Sequence, residues 1–181
     1  GSRLDEAEKN NARALFARMT PGLVPGYRFE LVFRSGERIG ANAFALPTGT
    51  IVVTDELIKA IEHPGELESI LAHEVGHVVQ RHSLRQLIQG STIALIMMAV
   101  TGDISAVAAM SGALPVLLTE TYYSREFERE ADQYAYDHLH ARGISPQHFV
   151  RILERIAGSG ETIGFLSTHP SVDERLQTFS R

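Results

Sequence analysis

The chain has 181 residues, 44% of them apolar and 22% charged, which is enough length to bury one core and an ordinary composition for a globular protein. A formal net charge of −5, with no run of basic residues, leaves no electrostatic footprint for nucleic acid. There is no cysteine, so disulfides and thiolate ligands are excluded and any metal must be held by His, Asp or Glu. Gly1 and Ser2 read as a cloning scar, and residues 3–181 as a single domain.

Residues 3–19 read as a helix with an apolar edge at Leu4, Ala7, Ala14, Leu15 and Met19, ended by "TPGLVPG". "YRFELVF" (27–33) alternates apolar and polar residues as a strand does, and "RSGER" turns the chain. "IGANAFALP" (39–47) is a second strand; "TGTIVVT" (48–54) is a turn and a third. These three predict a small, mostly antiparallel sheet. Thr54 or Asp55 can cap a short helix, "DELIKAIE", which "HPG" breaks. From Glu66 a long helical pattern begins, with Leu67, Ile70, Leu71, Val75, Val78 and Val79 at helical spacing. "IALIMMAV" (93–100) is too short to span a bilayer, and Gly102, Asp103, Gly112 and Pro115 interrupt the weakly polar stretch that runs on to Leu118. A buried helical hairpin is the expectation there. A helix over 120–141, stopped by "RGISP", another near 147–157 and a short one after "THPSVD" complete an α+β, mainly helical chain.

The chemistry concentrates in "LAHEVGHVVQRHS" (71–83), which holds three of the eight histidines. Each helical residue turns about 100°, so His73 and His77 stand about 40° apart, one turn along one face. Two imidazoles so placed can share one cation, with Glu74 beside it as a base; this is the H-E-x-x-H arrangement of zinc hydrolases. The alternative is a helix that merely carries histidines. His82, nine residues past His73, falls about 180° away and reads as a polar residue of the opposite face. Arg81 stays on the metal face and is a candidate to hold a carboxylate there.

A third ligand is available in "YSREFEREADQYAYDHL" (123–139). Ala131, Asp132, Ala135 and Leu139 lie within about 60° of Glu128, whereas Glu126 and Glu130 lie about 160° from it. Small and apolar neighbours mark the buried side, so Glu128 points inward and the other two read as solvated charge. The competing reading of Glu128 is a glutamate buried against an arginine. Asp132, one turn beyond on the same face, suits the free ring N–H of a ligand histidine. Three protein ligands leave a position open for water, the mark of a catalytic rather than a structural zinc site.

At this point the chain resembles the zinc endopeptidases of the HtpX-like and CAAX prenyl endopeptidase family, gluzincins that include periplasmic outer-membrane quality-control proteases. Four blocks carry the resemblance: "NAFALPTGTIVVT", "ELESILAHEVGHVVQRH", "YSREFEREAD" and "STHPSVDER". It implies a zincin-like fold and one Zn²⁺ per chain on His73, His77 and Glu128, with Glu74 as catalytic base and Asp132 behind the ligands. It also implies that Asn42, Ala43, Phe44 and Ala45 form an edge strand beside the cleft on which a peptide lies. His169 would approach the metal, either to stabilise the tetrahedral intermediate or to occupy the open position as a brake, with Arg175 nearby. Relatives often carry Gly where Ala135 stands, which implies only tighter helix packing here. They also often carry membrane helices or a helical-repeat domain, so membrane association falls to segments outside these residues. The implied function is hydrolysis of extended or misfolded polypeptides in bacterial envelope quality control. Two rivals are a chaperone-like binding module whose zinc site His169 closes, which an intact Glu74 disfavours, and a non-proteolytic zinc hydrolase, which a deep pocket in place of an open cleft would favour.

Overall fold

The computed structural model describes residues 1–20, 28–102, 123–159 and 164–169, together with Arg175 and Phe179. Helix α1, Glu6–Met19, opens on a capping box in which Asp5 accepts from the Glu8 amide and Glu8 from that of Asp5. Its buried arc is Ala12, Leu15, Phe16 and Met19, an i, i+3, i+4, i+7 set. Ala7 and Ala14, expected on that edge, are exposed; Phe16 brings far more apolar area inward than either and sets the rotation.

Three strands follow: β1 (Glu30–Arg34), β2 (Ala43–Ala45) and β3 (Thr50–Thr54), in the spatial order β1-β3-β2. β2 and β3 are antiparallel, with Ala43 opposite Val53 and Ala45 opposite Ile51, because a tight turn through Gly49 (φ 94°) joins them. β1 and β3 are parallel, with Glu30 opposite Thr50 and Arg34 opposite Thr54. The sheet is therefore mixed, not mostly antiparallel. The chain leaves β1, passes to the far side of the sheet and only then doubles back, so sequence neighbours β1 and β2 never pair. As the central strand, β3 buries Ile51, Val52, Val53 and Thr54 without alternation.

Thr54 caps α2, Asp55–Ala60, by accepting from the Leu57 amide. His63 and Pro64 break that helix and begin the next: His63 Nδ1 accepts from the Gly65 amide, and Pro64 sits at the first turn of α3, Pro64–Val79. Every residue of α3 from Gly65 to Val78 is buried, and α5, α6, α1 and β2 pack around it once α4 (His82–Thr101), α5 (Arg125–Ala141), α6 (Gln147–Gly158) and α7 (Phe165–Thr168) are in place. Arg81 stands in the left-handed region (φ 56°, ψ 37°) and separates α3 from α4, so the long helical pattern expected from Glu66 is two helices, the first beginning at Pro64. In the first arm of the expected buried hairpin, Leu95, Ile96 and Val100 of α4 are exposed; its second arm lies outside the described residues, as does most of the short helix expected after "THPSVD". No helix among the described residues is long and apolar enough to cross a membrane.

Candidate active site

Two helices build the site. α3 presents His73, Glu74 and His77, all with 1% exposure or less. α5 begins at Ser124, whose side chain accepts from the Phe127 amide, and buries Phe127, Glu128, Ala131, Asp132, Ala135 and Leu139. The inward face expected for Glu128 and Asp132 is thus the one observed, while Glu126 stays exposed. The helices approach closely because residue 76 is glycine: a Cβ there would meet Ala131 Cα and Tyr134 Cβ at 3.1 Å. Glu68 on α3 ties the far ends together through His138 Nε2 (3.0 Å) and Arg142 Nε (2.5 Å) on α5.

Potential ligand atoms of His73, His77, Glu128 and His169 all lie within 4.8 Å of one another, and all four side chains are buried. His73 Nε2 is 2.9 Å from His77 Nε2 and 3.6 Å from Glu128 Oε2; His77 Nε2 is 3.5 Å from Glu128 Oε1. Bonds of 2.0–2.1 Å in tetrahedral array place donors about 3.3 Å apart, which these separations bracket. The donor chemistry fits a cation too. His73 Nδ1 lies 2.9 Å from Asp132 Oδ1 and 3.1 Å from Arg175 Nη2; a proton on Nδ1 facing the carboxylate, which only accepts, would leave the Nε2 lone pair toward the cluster. The Nε2 atoms of His73 and His77 face each other at 2.9 Å, where a cation would accept both lone pairs.

The electrostatics point the same way. Burial, helped by the Arg175 charge, pushes the His73 imidazole down to about 4, and burial drives His77 well below its ordinary value, so both rings are neutral and available as ligands. Burial raises Glu74 to about 7, against His169 and with the Glu128 charge. Among the described residues neither Glu74 oxygen has a hydrogen-bond partner, nor has Glu128 Oε2 or His169 Nε2. For Glu128 burial works upward, but His169, His73 and Arg175 hold it below the usual carboxylate range. Asp132 falls to about 2 despite burial, since Arg175 and His73 both stabilise its charge.

His169 is fully buried, with Nδ1 3.0 Å from Glu128 Oε1 and Nε2 3.4 Å from Glu74 Oε1. Burial opposes its charge, but those two carboxylates raise its pKa. Arg175 donates from Nε (2.9 Å) and Nη2 (2.8 Å) to Asp132, and its Nη1 lies 3.3 Å from Glu128 Oε2. Strand β2 (Ala43–Ala45) is an outer strand of the described sheet against α3; Asn42, expected in it, stands just before it, and Thr168 Oγ1 donates to Asn42 Oδ1 (3.4 Å). A small cleft of about 90 Å³ separates Ala45, Leu46 and Pro47 from His77, Ser83 and Leu84.

Three expectations fail. His82 is not on an opposite face: it is 0% exposed, and its Nδ1 lies 2.8 Å from His77 Nδ1. The left-handed Arg81 turns α4 back toward the site, so an angle carried across that residue is meaningless. Arg81 itself is exposed, and Arg175 takes the carboxylate instead. Glu130 is not merely solvated charge, since it faces His82 Nε2 (3.0 Å) and Arg85 Nη1 (2.5 Å). Burial lowers the pKa of His82 against the pull of Glu130. The Tyr123 ring, also missed, stacks on His77 at 3.9 Å between centroids. No periodicity signals a residue just outside a helix, though "RH" after a helix break could have directed attention to His82.

Residues 11–181 match the family model described as peptidase family M48. The chain is 32% identical over 142 residues to the metalloprotease YcaL of Escherichia coli, covering 75% of this chain and 56% of that protein. It is 31% identical over 149 residues to the beta-barrel assembly-enhancing protease of Yersinia pestis, covering 75% and 31%. To the mitochondrial metalloendopeptidase OMA1 of Saccharomyces cerevisiae it is 26% identical over 170 residues, covering 88% and 48%. The chain thus spans between about a third and somewhat over half of these relatives. It belongs to peptidase family M48.

Proposed function

We propose that this M48 chain is the catalytic part of a zinc metalloendopeptidase of the HtpX-like and CAAX prenyl endopeptidase kind, cleaving extended or misfolded polypeptides in the bacterial cell envelope. The observation that carries the reading is the buried convergence of His73, His77 and Glu128 beside an unpartnered Glu74. His73 Nε2, His77 Nε2 and a Glu128 oxygen would hold the ion. Two imidazoles favour zinc over calcium or magnesium, which prefer oxygen donors. When bound, zinc lowers the pKa of a water and polarises a carbonyl.

The chain's own residues supply the rest. Glu74 takes the proton of the attacking water on a carboxylate oxygen and returns it to the leaving amide nitrogen. Among the described residues neither oxygen is hydrogen-bonded, which leaves both available for that proton. His169 Nε2, also unpartnered, is positioned to donate to the developing oxyanion. Arg175 fixes Asp132, which fixes the His73 ring. A substrate main chain adds to the strand at Asn42–Ala45, and the 90 Å³ cleft beside Ala45 takes a small side chain. The bacterial relatives, one of them named for β-barrel assembly, support the envelope assignment.

One observation favours a second reading. The His169 ring occupies the space between Glu74 and Glu128, where it closes the site and would leave a chaperone-like binding module. Casein digestion by zinc-loaded wild type and His169→Ala separates the two. The peptidase reading predicts cleavage by wild type that a chelator stops. Cleavage by His169→Ala alone would identify a self-closed site, and no cleavage by either zinc-loaded protein would contradict peptidase function.

A further inference from the structure

His77 is held at both ring nitrogens, and the second contact belongs to a chain of groups that the peptidase chemistry does not use. His77 Nδ1 faces His82 Nδ1 at 2.8 Å, and His82 Nε2 faces Glu130 Oε2 at 3.0 Å. Arg85 grips Glu130 with two donors, Nη1 to Oε2 at 2.5 Å and Nη2 to Oε1 at 3.2 Å. Partner chemistry assigns the hydrogens along this chain. A carboxylate only accepts, so His82 carries its proton on Nε2. Its Nδ1 is then a lone pair and accepts from His77 Nδ1–H. That places the His77 lone pair on Nε2, facing His73 Nε2 and Glu128.

We propose that His82 and Glu130 are positioning residues that fix the tautomer and ring orientation of His77 for cation binding. The inference rests on the metallopeptidase reading and deepens it. His73 receives the same service directly from Asp132, 2.9 Å away. His77 has no carboxylate at its Nδ1; the carboxylate acts through an intervening imidazole. The break at Arg81 is what delivers that imidazole, since a continuous helix would carry residue 82 to the other face. The ring planes are secured from outside as well: His82 stacks on Phe127 at 4.5 Å and 10°, and Arg85 lies 4.4 Å over the same Phe127 ring.

A role in packing alone makes a different prediction, because it does not depend on an acceptor at residue 82. The test is zinc affinity by chelator competition, with melting temperatures of the metal-free proteins measured in parallel. His82→Leu fills the space without an acceptor, and it is expected to weaken zinc binding by about 10–100-fold. His82→Asn restores an oxygen near the Nδ1 position and is expected to recover most of that loss. Glu130→Ala is expected to weaken binding in the same direction but by less. The double variant His82→Leu with Glu130→Ala is expected to be no weaker than His82→Leu, since Glu130 acts through His82. The relay is overturned if His82→Leu binds within about twofold of wild type, or if His82→Asn loses as much as His82→Leu. Glu130 is partly exposed, so unchanged affinity in Glu130→Ala also overturns it, even where the His82 variants do not fold. Zinc binding by wild type with unaltered variants sinks the relay alone; no zinc in wild type sinks the metallopeptidase reading with it.

Discussion

Glu74 is wholly buried, and among the described residues neither of its oxygens has a hydrogen-bond partner. Burial holds it near pH 7, so ionising it costs free energy that the fold must carry. A glutamine has the same shape without the charge. Glu74→Gln is therefore expected to leave the melting temperature unchanged or a few degrees higher while removing the proton carrier. A fall of more than about 5 °C, equivalent to about 1–2 kcal/mol in a chain this size, would show that the carboxylate is structural. At this scale much was legible: His73, His77, Glu128 and Asp132 followed from angles within single helices, and all are buried where those angles pointed. His82 and Glu130 were not, because the backbone at Arg81 takes a conformation unusual for a residue with a side chain, and nothing in its residue type announces that. His169 and Arg175 come from a segment distant in sequence, and only the family resemblance brought them forward.

The pairing of α3 with α5 sets the distance between the histidines and Glu128, and at Gly76 the two helices lie against each other with no room for a side chain. Alanine there would gain about 1 kcal/mol of helix propensity. Its Cβ, however, would stand 3.1 Å from Ala131 Cα and 3.2 Å from Ala131 O, backbone atoms that cannot rotate away. Overpacking of that kind costs about 1–3 kcal/mol and outweighs the gain. Gly76→Ala should thus lower the melting temperature by a few degrees and weaken metal affinity, as α5 and Glu128 shift outward. A raised melting temperature would contradict the close approach. The existence of α1, α3, α5 and α6 was readable from periodicity, the four-residue α7 was not, and neither was the sheet: alternation identifies a strand without identifying its neighbour. Strands β1 and β2 follow one another in the chain yet lie at opposite edges, with β3 between them.

Across the whole molecule, Arg155 on α6 joins the end of α2 to the start of α3. It donates to Ala60 O (2.8 Å), Glu62 Oε2 (2.7 Å) and both oxygens of Glu66 (2.8 and 3.0 Å). Glu66 is 1% exposed; burial works against its charge, but Arg155 and the Glu62 and His63 amides hold its pKa below 4.5. A carboxylate with a depressed folded-state pKa contributes stability that is present above its unfolded value and lost as pH falls through the folded one. Arg155→Met is expected to cost about 1.5–3 kcal/mol at neutral pH, as hydrogen bonds to a charged group do. In urea denaturation the gap between wild type and variant should narrow as pH drops below about 4.5. A gap that stays constant with pH would show that the guanidinium works through packing alone. The mainly helical α+β class was legible from the order of periodic segments; this ion-paired junction was not, because it joins residues 89 positions apart.

Two histidines of α3 and one glutamate of α5 holding a single metal ion beside a separate base fix the metal content of each variant. Elemental analysis of zinc-reconstituted protein reads it. About one zinc per chain is expected in wild type and in Glu74→Gln, and little in Glu128→Ala. No zinc in wild type, or a full complement in Glu128→Ala, would contradict that arrangement.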